Sequence, residues 1–423
     1  MTQPARWRRA SVAFLAATMI GCDEPAPPVA DNPPAPPGRA GGAPGTFRND
    51  LVFLGQHTEV IVLTGDDGRA QVAVTPEYQG RVMTSTATGP DGASYGYIHR
   101  PVIEQGKPQP HMTVVGGEDR FWLGPEGGQY ALYFPPGAAF DTEHWQVPAA
   151  IDWGRWPVAK ETPREVEFSK TMSLTNYGGF TFDLRVDRTV RLLDRDAIVR
   201  HLGSDPGDVD VVAYESENVI TNTGSAAWRP ESGLVSIWIL GMLRPGPRTT
   251  VVIPYQPGPE SKLGPIVNDA YFGAQPPERL RIGKTAVFFR GDGTRRGKIG
   301  IPRPRARTVA GSYDPDRRLL TIVQFTLPDA PHGYVNSMWA RQAQPYGGDV
   351  INSYNDGPLG PGQPPLGPFY EIESSSPAAA LEPGSSMRHV HRTLHLQGSG
   401  SGLDAIAKLV LGVSLEEIAG SLP

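Results

Sequence analysis

Cysteine is almost absent: Cys22 is the only one in 423 residues. A single thiol excludes any internal disulfide, so the fold must be held by packing and hydrogen bonding alone. Surplus basic charge is absent too. Thirty-nine Lys and Arg stand against 44 Asp and Glu, for a net charge of −5, which argues against a pervasive nucleic-acid surface. Beyond the N-terminus, no apolar run is long enough to cross a bilayer as a helix. There is no Gly-x-Ser-x-Gly elbow, P-loop, His-Glu-x-x-His or Rossmann fingerprint, so no motif calls for a metal or an organic cofactor. No repeat of fixed period is visible, which disfavours a propeller or solenoid.

What the N-terminus does carry is a basic head (Arg6, Arg8, Arg9), then an apolar run from Ala10 to Ile20. That order describes a signal peptide. Met19-Ile20-Gly21-Cys22 resembles a lipobox, where bacteria attach diacylglycerol to the cysteine and cleave just before it. The usual leucine three residues before the cysteine is Met19 here. An ordinary signal peptide ending near a cysteine is the alternative. Residues 1–21 are thus expected to be a lipoprotein signal peptide and Cys22 the lipidated, palmitate-bearing anchor. The protein would then be exported, on the periplasmic or cell-surface face of a membrane. Residues 22–45 are expected to be a tether. Asp23 to Gly45 contains eight prolines and few large apolar groups; extended at ~3.1 Å per residue, it reaches up to ~70 Å.

Residues 46–423 remain as a folded body. Fifty glycines and 44 prolines are spread along the whole chain, and such punctuation suits many short strands. Alternating or β-branched runs recur at Glu59–Leu63, Gln71–Val74, Arg81–Thr86, Phe180–Leu193 and Val211–Asn222. They continue at Leu234–Leu240, Thr249–Ile253, Thr285–Arg290, Leu319–Thr326, Phe369–Ser374 and Arg388–Leu396. The class is all-β and antiparallel. One helix is expected over 403–419, with Gly412 and Ser414 as a possible break, capping a sheet.

Five segments carry polar chemistry. Gly116–Gly128 sets Glu118, Arg120, Trp122 and Glu126 between two glycine pairs. Trp122 offers an apolar face for a sugar ring and the charged groups can bond hydroxyls; a structured β loop with a buried Trp is the alternative. In Tyr370–Pro377, alternation puts Glu371 and Glu373 on one strand face, ~6.6 Å apart. Two such carboxylates can do acid–base work, although a solvated face is commoner. In Arg388–His395, the three histidines share one face. His389 and His391 can share a metal only with further ligands; a polar face with one functional histidine is preferred. Tyr354–Gly357 brings Asn355 and Asp356, both good hydroxyl partners, into a turn. A basic run from Arg290 to Arg307 places Arg296 and Lys298 on one face, suited to an acidic sugar or a phosphate.

These segments resemble the galactose mutarotase (aldose 1-epimerase-like) family. Val72–Val82 resembles its opening strand pair, and Gly116–Gly128 its Gly-rich loop. Val219–Gly224 resembles the strand ending in Asn-x-Gly. Ile372-Glu373 with Leu381-Glu382-Pro383-Gly384 resembles the strand of the catalytic glutamate, and Arg388–Leu396 the closing strand. The resemblance implies a large antiparallel β-supersandwich with a short C-terminal helix. It also implies Glu373 as general base, with Glu371 second. The family's histidine acid has no counterpart in Ser236–Met242, and Ser385 stands where the turn's glutamate would be. His144 and His391 are the remaining histidine candidates for catalysis. Arg120, Trp122, Glu126, Arg296, Lys298, Asn355 and Asp356 are the candidate ligand contacts. Carbohydrate is the expected partner and the membrane is engaged through the lipid. An epimerase-, isomerase-, lyase- or hydrolase-like enzyme, a non-catalytic glycan binder and a structural envelope protein remain open.

Overall fold

A computed structural model describes residues 45–330, 333–360 and 362–423. Cys22, the signal peptide and nearly all of the tether lie outside these residues. The described strands begin with β1 (Ile61–Thr64), β2 (Gln71–Thr75), β3 (Arg81–Thr86) and β4 (Arg120–Gly124). Then come β5 (Val158–Thr162), β6 (Glu165–Thr175), β7 (Thr181–Leu192), β8 (Asp210–Asn222) and β9 (Ser236–Leu243). The chain continues with β10 (Thr250–Pro254), β11 (Leu280–Ile282), β12 (Ala286–Arg290), β13 (Gly297–Pro302) and β14 (Val309–Asp314). It closes with β15 (Leu319–Phe325), β16 (Asp349–Asn355), β17 (Tyr370–Ser375) and β18 (Ser386–Gln397).

Three sheets result. One is β1-β2-β3; a ten-stranded sheet runs β11-β12-β10-β14-β15-β18-β8-β7-β6-β5; a five-stranded sheet runs β13-β16-β17-β9-β4. Adjacent strands are antiparallel in each. The class expected from the sequence, all-β with large antiparallel sheets, is what is observed. Long strands show why. In β7, Phe182, Leu184, Val186 and Val190 alternate inward while Thr181, Asp183 and Arg185 face water.

The two large sheets pack face to face. Ile237, Ile239, Phe121 and Leu123 of the smaller sheet meet Phe182, Leu184 and Tyr214 of the larger. Ile299, Ile351 and Ile372 likewise share a cluster with Val251, Phe289 and Val323. Polar bridges cross the same space, such as Ser312 Oγ to Tyr370 OH at 2.8 Å.

The C-terminal helix is two helices. Gly400–Leu411 is capped by Ser399 and ends at Gly412, whose φ of 74° is left-handed; Ser414 then caps Leu415–Ala419. Leu403, Ile406, Leu411 and Ile418 cover Val252, Phe288, Leu320 and Leu394 on the larger sheet. Strands β4, β13 and β16 run into segments read from the sequence as a Gly-rich loop, a basic run and a turn. Glu165–Thr175 is a further strand, and its alternation of Val166, Phe168, Met172 and Leu174 is plain once seen. Among the described residues, no helix is long and apolar enough to cross a membrane.

Candidate functional site

With its inner face committed to the core, the five-stranded sheet lifts its other face into a pocket. Strand register fixes what stands there. One cross-strand row is Arg120, Leu240, Glu373, Asn352 and Gly300. The next is Met242, Glu371, Tyr354 and Lys298. Beyond Leu240, Trp238 faces Trp122. Loops complete the walls with Met112, Trp145, Tyr271, Phe272, Trp339, Leu366 and Phe369. The pocket contains about 610 Å³ of space, its mouth included, a size suited to a small molecule.

Two ion pairs cross its floor. Arg120 Nη2 donates to Glu371 Oε1 at 3.0 Å, and Lys298 Nζ to Glu373 Oε2 at 2.9 Å. Trp238 Nε1 donates to the same Glu373 oxygen at 2.9 Å. The pairs are desolvated, with every side chain in them at most 8% exposed. Burial pushes Glu371 up to about 7, against the pull of Arg120 and with the help of Glu373. Glu126, on the pocket wall, is also raised, first by burial. Burial would lower Lys298, but the charges of Glu373 and Glu126 outweigh it and hold the ammonium above the usual lysine range.

Several buried polar atoms have no hydrogen-bond partner among the described residues. They include Glu373 Oε1, Trp122 Nε1, Trp145 Nε1, Arg120 Nε and Arg296 Nε. All five belong to residues that line the pocket or are bonded into its floor. Orphaned groups are rare in native folds, and a cluster of them in one cavity suits a polar occupant.

The structure thus brings Arg120, Trp122, Glu126, Arg296, Lys298 and Glu371 together on one wall, with Glu373 beneath them. Trp122 differs from expectation. The Arg120 guanidinium covers one face of it at 3.8 Å and Trp238 meets it edge to face, so it is no open stacking platform. Trp145 and Trp339 are half-buried and stack on each other 5.9 Å apart, and Tyr133 stacks on Trp145 in turn. Glu118 belongs elsewhere: it is buried, accepting from Ser85 N, Tyr214 OH and His395 Nε2.

Four candidates fall outside the pocket wall. His144 is paired with Asp141 at 2.7 Å on a half-exposed loop. His391 lies between the sheets with its Nδ1 on Ser374 Oγ at 2.8 Å, a hydroxyl it shares with His389. Burial lowers His391 to about 4 and His389 to about 3. The face that the histidines share is the core face of β18, which periodicity alone does not reveal. Among the described residues, no group of His, Cys, Asp and Glu is arranged to hold a metal. Asn355 faces away from the pocket: its side chain accepts from Gly293 N and donates to Arg295 O. Asp356 is buried behind the wall, where it accepts from Tyr354 OH and Gly367 N, each at 2.8 Å. It braces Tyr354 instead of reaching a ligand. Sequence reasoning singled out Trp122 but not Trp145, Trp238 or Trp339, although four of the seven tryptophans among the described residues line this one pocket.

The profile of a family of unknown function, DUF6786, matches residues 45–422. No curated protein matches the chain by sequence. Among solved structures, one similar to it is the Slr1438 protein from Synechocystis sp. PCC 6803, at 14% identity and a TM-score of 0.48, covering 81% of this chain and 96% of that one. Another is a galactose mutarotase-like protein from Lactobacillus casei ATCC 334, at 10% identity and a TM-score of 0.43, covering 80% and 100%. A third is a galactose mutarotase related enzyme from Lactobacillus acidophilus, at 8% identity and a TM-score of 0.44, covering 80% and 97%.

Proposed function

We propose, for a chain that belongs to the DUF6786 family of unknown function, that the pocket binds a carbohydrate and that Cys22 carries a lipid holding the exported body to a bacterial membrane. One observation carries the first part: Trp122, Trp145, Trp238 and Trp339 surround Arg120, Lys298, Glu126 and Glu371 in a single cavity. A sugar presents apolar C–H faces and a rim of hydroxyls. Aromatic rings suit the former; carboxylate and guanidinium groups, with their fixed donors and acceptors, suit the latter.

Within this reading, Glu371 is better placed than Glu373 to exchange a proton with a ligand. Glu371 forms part of the wall. Glu373 is fully buried, with one oxygen held by both Lys298 and Trp238. With a pKa near 7, Glu371 loses its proton as pH rises through neutrality, and the ionised form is the better acceptor for a hydroxyl. Affinity for a neutral sugar is therefore expected to rise roughly three- to tenfold between pH 6 and 8. Glu371→Gln should flatten that dependence. Titration calorimetry against sugars that bind in a glycan array reads both; an array with no binder would sink the carbohydrate reading. A flat wild-type profile would remove Glu371 from the role. Simple binding without turnover is favoured by one observation: no histidine lines the described pocket.

The anchor rests on the lipobox-like Met19–Cys22 and the proline-rich segment after it. Cells fed labelled palmitate should label the wild-type chain and leave Cys22→Ser unlabelled. A labelled Cys22→Ser would refute the assignment.

A further inference from the structure

The cations of the pocket are not all matched. Arg120 is paired with Glu371 and Lys298 with Glu373. Arg296 has no ion pair with any described carboxylate, and its Nε is buried without a hydrogen-bond partner. Its guanidinium carbon lies over the Phe272 ring, 3.8 Å from the ring centre, a contact that uses none of its N–H donors. Lys298, two residues along, lines the same pocket. Its ammonium has three protons, and Glu373 Oε2 takes one of them. Arg296 immediately precedes β13 and Lys298 is its second residue; both line this one cavity, so one anionic group there can meet both cations. Glu126, the remaining carboxyl on the wall, forms no ion pair either; its burial disfavours its charge and so reduces competition for Arg296.

We propose that the ligand is an acidic sugar, a hexuronate whose carboxylate sits between Arg296 and Lys298 while its ring lies among the tryptophans. The inference rests on the carbohydrate reading above and specifies its substrate class. A planar guanidinium matches a planar carboxylate with two parallel hydrogen bonds. Arg296, the pocket cation with no carboxylate in an ion pair with it among the described residues, suits a single negative charge.

Calorimetry on the full chain at low salt, with galacturonate, glucuronate, galactose, glucose and galactose 6-phosphate, tests this. Each uronate is expected to bind at least about tenfold tighter than its neutral counterpart. That ratio should shrink towards one in Arg296→Gln and recover only in part in Arg296→Lys, which restores charge without the fork. Equal wild-type affinity for uronates and neutral sugars would overturn the proposal while leaving carbohydrate binding in place. A preference that survives in Arg296→Gln would overturn it as well, as would tighter binding of the phosphate sugar. No binding of any sugar would overturn both readings together.

Discussion

Replacing Arg188 with methionine is expected to cost the fold about 3–5 kcal/mol, the scale for breaking a buried ion pair from one side. Arg188 rises from β7 of the larger sheet and is fully buried. It reaches Asp119 Oδ1 at 2.6 Å, Asn218 Oδ1 at 2.6 Å and Gly80 O at 3.0 Å. Asp119 immediately precedes β4, so this guanidinium ties the larger sheet to the edge of the pocket sheet. Methionine would fill much of the volume and supply none of the donors. Asp119 would keep only Ser216 Oγ, at 2.7 Å, as a side-chain partner. Urea denaturation at pH 7 measures the loss from the shift in midpoint at constant slope. A change below about 1 kcal/mol would mean that solvent reaches Asp119 and that the bridge is not buried in solution.

Lys298→Met is expected to produce a loss of similar size, about 3–5 kcal/mol, and to abolish sugar binding as well. Glu373 would retain Trp238 Nε1 as its sole donor, with its other oxygen already unpartnered. The double variant Lys298→Met/Glu373→Gln removes the stranded charge and should regain more than half of the lost stability without regaining the ligand. A double-mutant cycle of denaturation midpoints isolates the coupling. Additive losses would show that the two charges are not held together. Recovery of stability with binding still absent would place Lys298 in recognition as well as in folding.

How much of this was legible in the sequence differs by element. Strands such as β7, β8 and β18 could be read because one face packs and the other is polar or bridging. Strands β4, β13 and β16 could not, because charged, polar and glycine residues stand at positions that are buried as well, so no polar, water-facing alternation marks them. In β13, Lys298 and Gly300 point to the pocket while Ile299 and Ile301 point to the core. Read along the chain, that stretch is a basic run broken by glycine. The pairing of Glu371 with Glu373 on one face followed from a period of two, but which face met water did not. Their cationic partners lie 251 and 75 residues away in the chain, a distance no local pattern spans. The histidines failed for the same reason. Alternation grouped His389, His391 and His395 correctly, and only the packing of one sheet on the other decided that their side is interior.

The gathering of indoles around the cavity makes the molecule its own optical probe. Four of the seven tryptophans among the described residues border one site. Two of them sit against cations, Trp122 against Arg120 and Trp238 against Lys298. Indole emission responds to nearby charge and to water, so filling the cavity alters the ultraviolet fluorescence of the chain directly. Occupancy can then be followed in dilute solution, without a label and before any reaction is known.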